Sequence, residues 1–552
     1  MKTADLIKII SEASLHLRLE VNQDQLEILR FNQRSYELDD VMEFARDLVE
    51  AGRKCNLFIM QQNVPADQIE SILEESKDPL VLFTMNGNAV KPELLVRDGS
   101  QVRYLFTGEI LNTRDTDQWL VSDSGDVIML MVVPFREVVG DPPASGEKLT
   151  PMKRLFRLFG TEKKDISYIL VYALIIGLLS LALPLGLQTT IEFISGGVFF
   201  SSVYILIGLV ILGVIATGVL QIVQISIVEQ LQRRVFVKAA LEFAYRIPRV
   251  RLEALTKSYA PELVNRFFDI ITIQKGLPKL LLDLSSGAIQ VLFGLLLLSL
   301  YHPFFVFFSL FLVGVITLMF YFTGPRGLYS SINESKYKYK VVQWLEEIAR
   351  TIKSFKLAGD TDLPIRKTDQ VAGNYIHYRK KHFGILLTQF SFFVFFKVAI
   401  IGGLLIMGTI LVVDRQITLG QFVASEVIVI LVLGAVEKII LYIDVVYDML
   451  TALDKVSHVT DLPLEKAGGL DLPKEHTGKG YTISLQNVGY IYAESSTQVL
   501  KNINLEIQAG ERICVCGPGG SGKSTLADVI GGLLTDYSGG VAINHFSLRD
   551  LD

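Results

Sequence analysis

The sequence predicts a multidomain chain: a small N-terminal α+β domain, a six-helix α-helical transmembrane domain, and the start of an α/β phosphate-binding-loop domain. Three observations carry this. Long stretches lack Lys and Arg altogether, segments patterned like soluble protein flank them, and a glycine-rich loop follows a strand pattern near the C-terminus. Of the 552 residues, 50% are hydrophobic and 20% charged, and mean hydropathy is +0.39. Disorder needs low hydrophobicity and high net charge, so bulk disorder is excluded, and a wholly soluble chain does not fit. A net charge of -5 gives no footprint for nucleic acid. The three cysteines, Cys55, Cys514 and Cys516, cannot build a disulfide framework and lack paired zinc-ligand spacing. Charges interrupt the apolar positions of the first 20 residues throughout, unlike a signal peptide.

Residues 1–140 predict the α+β domain, with helices around 39–52 and 66–75 and strands at Leu80–Thr84, Leu94–Arg97, Val102–Phe106 and Val127–Val133. Residues 141–165 follow as linker and elbow, the run Gly140-Asp141-Pro142-Pro143-Ala144-Ser145-Gly146 carrying the turn formers.

The membrane domain is expected over 166–460. Between Lys164 and Arg233 there is no basic residue, and the carboxylates there are Asp165, Glu192 and Glu229. A bilayer core of ~30 Å takes about 20 apolar helical residues. That stretch therefore holds two spans, near 166–188 and 201–228, turning through Ile194-Ser195-Gly196-Gly197. A second pair lies near 281–301 and 303–323, divided at His302-Pro303, with Asp283 its one charge. The third, near 383–413 and 417–446, splits at Asp414-Arg415-Gln416. Basic residues gather before the first span (Lys153, Arg154, Arg157, Lys163, Lys164) and in the connections 229–279 and 326–381. The positive-inside rule then places both termini and both long connections in the cytoplasm. Each connection is long for a loop, and its apolar spacing predicts helices continuing out of the membrane. Lys397 and Glu426 fall inside the third pair, and intramembrane charges tend to face a cavity or a partner. Lining a translocation path is the expectation for both, with structural pairing of Lys397 as the alternative.

A linker, 461–480, carries Pro463, Gly468, Gly469, Pro473 and Gly478. Beyond it, 481–552 predicts short strands at Thr482–Leu485, Ile503–Ile507 and Arg512–Cys516, the last with Cys514 and Cys516 as core residues. Directly after comes Gly517-Pro518-Gly519-Gly520-Ser521-Gly522-Lys523-Ser524-Thr525, matching GxxxxGK[ST], and then a helix pattern through Leu526, Val529, Ile530, Leu533 and Leu534. Such glycines let backbone N–H groups converge on phosphates, and the helix N-terminus adds its positive dipole end. Lys523 would reach the β/γ-phosphates and the Ser524 hydroxyl would ligate magnesium, so ATP and magnesium are the expected cofactors.

Six spans, long cytoplasmic extensions and a C-terminal P-loop together resemble an ATP-binding-cassette (ABC) exporter half-transporter, over roughly residues 150–552. Val488-Gly489-Tyr490-Ile491-Tyr492, Val499 to Leu505 and Gly510-Glu511-Arg512 resemble the lead-in to that family's Walker A motif. By that resemblance Tyr492 stacks on adenine, against the alternative of an ordinary strand tyrosine. Ser180 to Leu185, Leu263-Val264-Asn265-Arg266-Phe267 and Ile417 to Phe422 resemble the branch that secretes peptides and proteins in one step, the type I secretion and bacteriocin exporters. The resemblance further implies that short helices near 258–266 and 346–357 rest on the nucleotide-binding domains and transmit their closure.

What the resemblance implies is an integral subunit of a bacterial inner membrane. It would act as a homodimer or beside a half-transporter partner, contacting membrane lipid and carrying a peptide or unfolded protein. A periplasmic adaptor and an outer-membrane channel would be further partners. A lipid or drug exporter is the rival within the family. From another class comes a membrane scaffold or nucleotide sensor that does not hydrolyse ATP. The chain ends 29 residues after Lys523, ahead of the signature, the Walker B carboxylates and the switch histidine, so no catalytic residue is expected within it. A fragment of a longer protein is expected over a degenerate cassette, because the P-loop residues are intact. Exporters of this branch often begin with a papain-like peptidase using Cys, His and Asp in that order. Here His16 precedes Cys55, so the expectation is a peptidase-like domain without activity, used for docking or regulation.

Overall fold

In the computed structural model, described over residues 1–17, 19, 35–37, 40–55, 57–76, 78–86, 89–98, 101–111, 119–121, 126–134, 149–197, 201–255, 260–465, 472, 480–493 and 495–551, the chain divides into two units. One comprises Met1–Arg136 with Glu465–Asp552, the other Glu137–Leu464. The glycine- and proline-rich residues expected as linkers lie largely outside the described ones.

The N-terminal part runs α1 (Thr3–Leu17), α2 (Val41–Lys54), β1 (Leu57–Pro65), α3 (Ile69–Glu75), β2 (Leu80–Asn86), β3 (Ala89–Asp98), β4 (Gln101–Tyr104) and β5 (Asp126–Pro134). Its antiparallel sheet is ordered β1-β5-β2-β3-β4. Side chains alternate across a strand, so β2 serves two cores. Val81 and Phe83 pack with Leu6, Ile9, Phe44 and Leu48 of α1 and α2, while Leu80 and Leu82 pack with Ile69 and Leu73 of α3. Burial on both faces explains the unbroken run Leu80-Val81-Leu82-Phe83. Strand β1 and helix α1 are additions to the expectation. Gln61, Gln62 and Asn63 interrupt the apolar alternation of β1, yet it pairs with β5 over nine residues.

The second unit begins with α4 (Pro151–Thr161), capped by the Thr150 side chain with Pro151 in its first turn. The expected first span is two helices, α5 (Lys163–Leu179) and α6 (Ala182–Ser195). Pro184 causes the interruption, since it has no N–H to continue the ladder across Ser180 and Leu181. Then come α7 (Ser201–Arg246), α8 (Ala260–Asn265), α9 (Phe267–Pro278), α10 (Ser285–Ser299), α11 (Pro303–Arg350), α12 (Ile352–Ala358), α13 (Leu363–Val413) and α14 (Leu419–Thr460). Helices α7, α11, α13 and α14 have 46, 48, 51 and 42 residues. At ~1.5 Å per residue they run roughly 60–75 Å, twice the bilayer core. Each is a continuous helix longer than a bilayer core is thick.

Among the described residues, five helical segments are long and apolar enough to cross a membrane: Lys163–Ser195, Ser202–Arg249, Glu262–Ser299, Pro303–Arg350 and Leu363–Val413. The sixth expected span, 417–446, forms within α14 but is not among them. Its surroundings differ from theirs. Helix α14 packs against α6, α9, α10 and α13, and 21 of its 42 residues are buried in protein. The turns fall where the sequence places them. His302 caps α11 through its Nδ1 with Pro303 next, and Thr418 and Gln421 form a capping box at the start of α14.

The C-terminal part holds β6 (Ile483–Tyr490), β7 (Leu500–Ile507), α15 (Lys523–Ile530), β8 (Ser538–Ile543) and β9 (Phe546–Ser547), with antiparallel sheet order β7-β6-β8-β9. The strand expected at Arg512–Cys516 does not form. Those residues pair with no strand among the described residues, and Ile513, Val515, Cys514 and Cys516 are all exposed. A run apolar on both faces pairs as a strand only where neighbours flank it, and none does here, which moves both cysteines from the expected core to the surface.

Candidate nucleotide-binding site

The site is built on the turn into α15. Gly522 is the residue before that helix and takes φ 91°, a left-handed conformation that a side chain would strain. A Cβ there would also stand 3.1 Å from Val499 Cγ1 and 3.3 Å from the Val499 carbonyl of the chain entering β7. Conformation and close approach both require glycine at this position. Lys523 opens α15 and folds back over the loop, its Nζ donating to the carbonyls of Gly517 at 2.9 Å and Pro518 at 2.8 Å. Ser524 is exposed one residue later, and Gly517, Pro518, Gly519, Gly520 and Ser521 are exposed as well. Thr525 turns inward and is buried.

Tyr492 meets this loop directly. Its hydroxyl lies 3.1 Å from Thr525 Oγ1, and its ring is held edge-on to Tyr490 at 4.9 Å. Thus the residues expected from 492 and 517–525 come together in one place. They suit a nucleotide triphosphate: an ammonium ion held inside the loop where anionic oxygens would replace the two carbonyls, a free hydroxyl for a cation, helix N-terminal amides and an aromatic ring alongside. A bound triphosphate would supply the hydrolysable phosphoanhydride. The chain's own contribution would be to gather that charge with Lys523 and the amides, with Tyr492 held through Thr525.

Lys397 and Glu426 are not brought together. Lys397 Nζ bonds Glu437 Oε2 of α14 at 2.7 Å. Glu426 keeps a buried Oε1 without a hydrogen-bond partner. Sequence reasoning passed over Glu437, although it is the one carboxylate in the apolar stretch 427–443. Cys55 sits in the core beneath α1 and α2, and burial pushes its thiol above the ordinary value. His16, in the last turn of α1, is exposed.

Residues 166–436 match the family model for the ABC transporter transmembrane region, and residues 500–551 match the ABC transporter model. These matches place in the chain an ABC transporter transmembrane region and, around the loop just described, part of an ABC transporter domain. The chain is 38% identical over 72 residues to the subtilin transport ATP-binding protein of Bacillus subtilis, which covers 13% of this chain and 12% of that protein. It is 28% identical over 134 residues to the ATP-dependent lipid A-core flippase of Neisseria meningitidis serogroup B, 24% of this chain and 21% of the flippase. Matched stretches thus span under a quarter of these relatives' own length. Among solved structures, a bacterial Atm1-family ABC exporter with ATP bound shares the fold at TM-score 0.60 and 14% identity, over 70% of this chain and 69% of that one.

Proposed function

We propose that this chain is the membrane-spanning, ATP-binding part of an exporter subunit that works as a dimer and moves peptides or unfolded proteins out of the cytoplasm. The observation that carries the reading is the assembled loop, Lys523 over Gly517 and Pro518 with Tyr492 bonded to Thr525, on a chain that matches the ABC transporter transmembrane region. Lys523 binds the β/γ-phosphates, Ser524 takes the magnesium ion, and Tyr492 stacks on the adenine. Six spans cross the membrane, α14 as the protein-covered sixth, with both termini in the cytoplasm. The peptide branch is supported by Leu263 to Phe267 and Ile417 to Phe422, and by the extra N-terminal domain. That domain docks cargo rather than cutting it, since Cys55 is buried in its core.

The match to a lipid A-core flippase favours a second reading in which a lipid is the cargo. One experiment addresses both. Binding of a fluorescent ATP analogue is measured on the full-length protein in lipid nanodiscs, with magnesium. Lys523→Ala is expected to weaken it at least ~10-fold, the loss of one charge-assisted contact set; equal binding by both proteins would overturn the nucleotide assignment. A change in nucleotide affinity on adding unfolded peptide supports the peptide reading. A change on adding lipid alone supports the rival.

A further inference from the structure

Two short helices, α8 and α12, lie within the cytoplasmic connections, and both are fastened to the same two turns of α11. From the first connection, the Asn265 side-chain amide donates to Glu346 Oε1. The next residue, Arg266, lays its guanidinium over the Tyr339 ring at 3.9 Å from the centroid, while its Nη2 holds Glu262 Oε1 of α8 at 2.5 Å. Tyr339 is buried, and the buried Asp269 carboxylate of α9 stands beside it. From the second connection, Phe355 of α12 packs edge-on to Trp344 at 6.3 Å. The Trp344 Nε1 donates to Thr368 Oγ1 of α13 at 3.1 Å, and Lys367 Nζ sits 4.1 Å over its ring.

Helical spacing sorts these contacts. Tyr339 and Glu346 are seven residues apart and share one face of α11, whereas Trp344 points about 140° away from Tyr339. One face therefore takes the first connection and another takes the second. Two turns of hydrogen-bonded helix, ~10 Å long, do not bend under loads that rotate a side chain, so displacement at one face must appear at the other. Arg266 suits this role because a planar guanidinium lies flat on Tyr339 while its edge N–H groups hold a carboxylate, a stacked geometry that an ammonium does not reproduce.

We propose that Tyr339–Glu346 of α11 is a shared joint that makes α8 and α12 move as one body, with Asn265, Arg266 and Trp344 as its positioning residues. Its use in coupling nucleotide closure to the membrane helices rests on the exporter reading; the mechanical link does not.

The test is amide hydrogen exchange on the full-length protein in lipid nanodiscs, without nucleotide, followed in peptides covering 260–265 and 352–358. Arg266→Lys keeps the charge and loses the stack. It is expected to raise exchange about fivefold in its own connection and also in α12. Phe355→Leu, on a half-buried side chain, approaches from the other side and is expected to raise exchange in α8. Faster exchange confined to the connection carrying the substitution, in both variants, would overturn the joint. A second arm adds the ATP analogue. In the wild type, protection of α12 should increase; in Arg266→Lys that increase is lost while protection of 517–525 stays. If nucleotide changes nothing in the wild type, the exporter reading fails, and the nucleotide-free result still decides the joint.

Discussion

Lys397 and Glu437 show what a charge inside a bilayer needs. Each sits on a helix expected to cross the membrane, and the 2.7 Å contact neutralises both. A lone charge near mid-bilayer costs about 2.5–3.5 kcal/mol, and removing one partner leaves the other in that state. Lys397→Met and Glu437→Gln should each lower the thermal unfolding midpoint by several degrees. The double change Lys397→Met with Glu437→Leu should recover most of the loss, because two apolar side chains replace two charges. Unfolding followed by tryptophan fluorescence in nanodiscs would check it. A double variant no better than the singles would assign the pair to something other than mutual neutralisation. Glu426 has no such partner for its buried Oε1.

Between helices, small residues set the distances. A Cβ on Gly327 of α11 would lie 2.5 Å from the Tyr447 ring of α14, whereas one on Gly314, four turns earlier, would meet nothing within 4 Å. Gly327→Ala should therefore cost about 1–3 kcal/mol through overpacking. Gly314→Ala should be neutral or stabilise by about 0.5–1 kcal/mol, since alanine is the better helix former. Comparing the two unfolding midpoints checks the contact, and equal midpoints would refute it. Much of this architecture was legible beforehand. The charge-free stretches, His302-Pro303 and Asp414-Arg415-Gln416 mark helix limits through composition and turn chemistry, which are local properties. The pairing of Gly327 with Tyr447, or of Lys397 with Glu437, depends on which helices become neighbours, and one sequence does not say. The same reason misplaced 512–516. Its apolar pattern is that of a buried strand, but a strand is made by its neighbours. At the nucleotide site, 517–525 were legible because the loop is contiguous. The Tyr492 to Thr525 bond joins residues 33 apart, and the family resemblance had singled out Tyr492 only as a ring for adenine.

Across the whole molecule, the distribution of basic residues and the native cysteines together make the proposed topology measurable. Lys and Arg crowd the segments before the first span and in both long connections, while Arg415 stands alone at an opposite turn. The positive-inside rule then puts that turn outside and residues 481–552 inside. Cys514 and Cys516 are exposed, and Cys55 is buried, so the native thiols already differ in reach. With a membrane-impermeant maleimide on intact cells, the native protein should stay unlabelled. Permeabilisation should label Cys514 and Cys516 and leave Cys55 protected until the fold is denatured. Arg415→Cys, at an exposed turn between α13 and α14, should add one label in intact cells. The 414–416 turn connects the fifth and sixth segments, so its side of the membrane tests α14 as well. Labelling of Cys514 or Cys516 without permeabilisation would place the nucleotide site outside, where no ATP supply could drive export. A label at 415 appearing only after permeabilisation would mean that α14, sheathed by α6, α9, α10 and α13, does not return the chain across the bilayer.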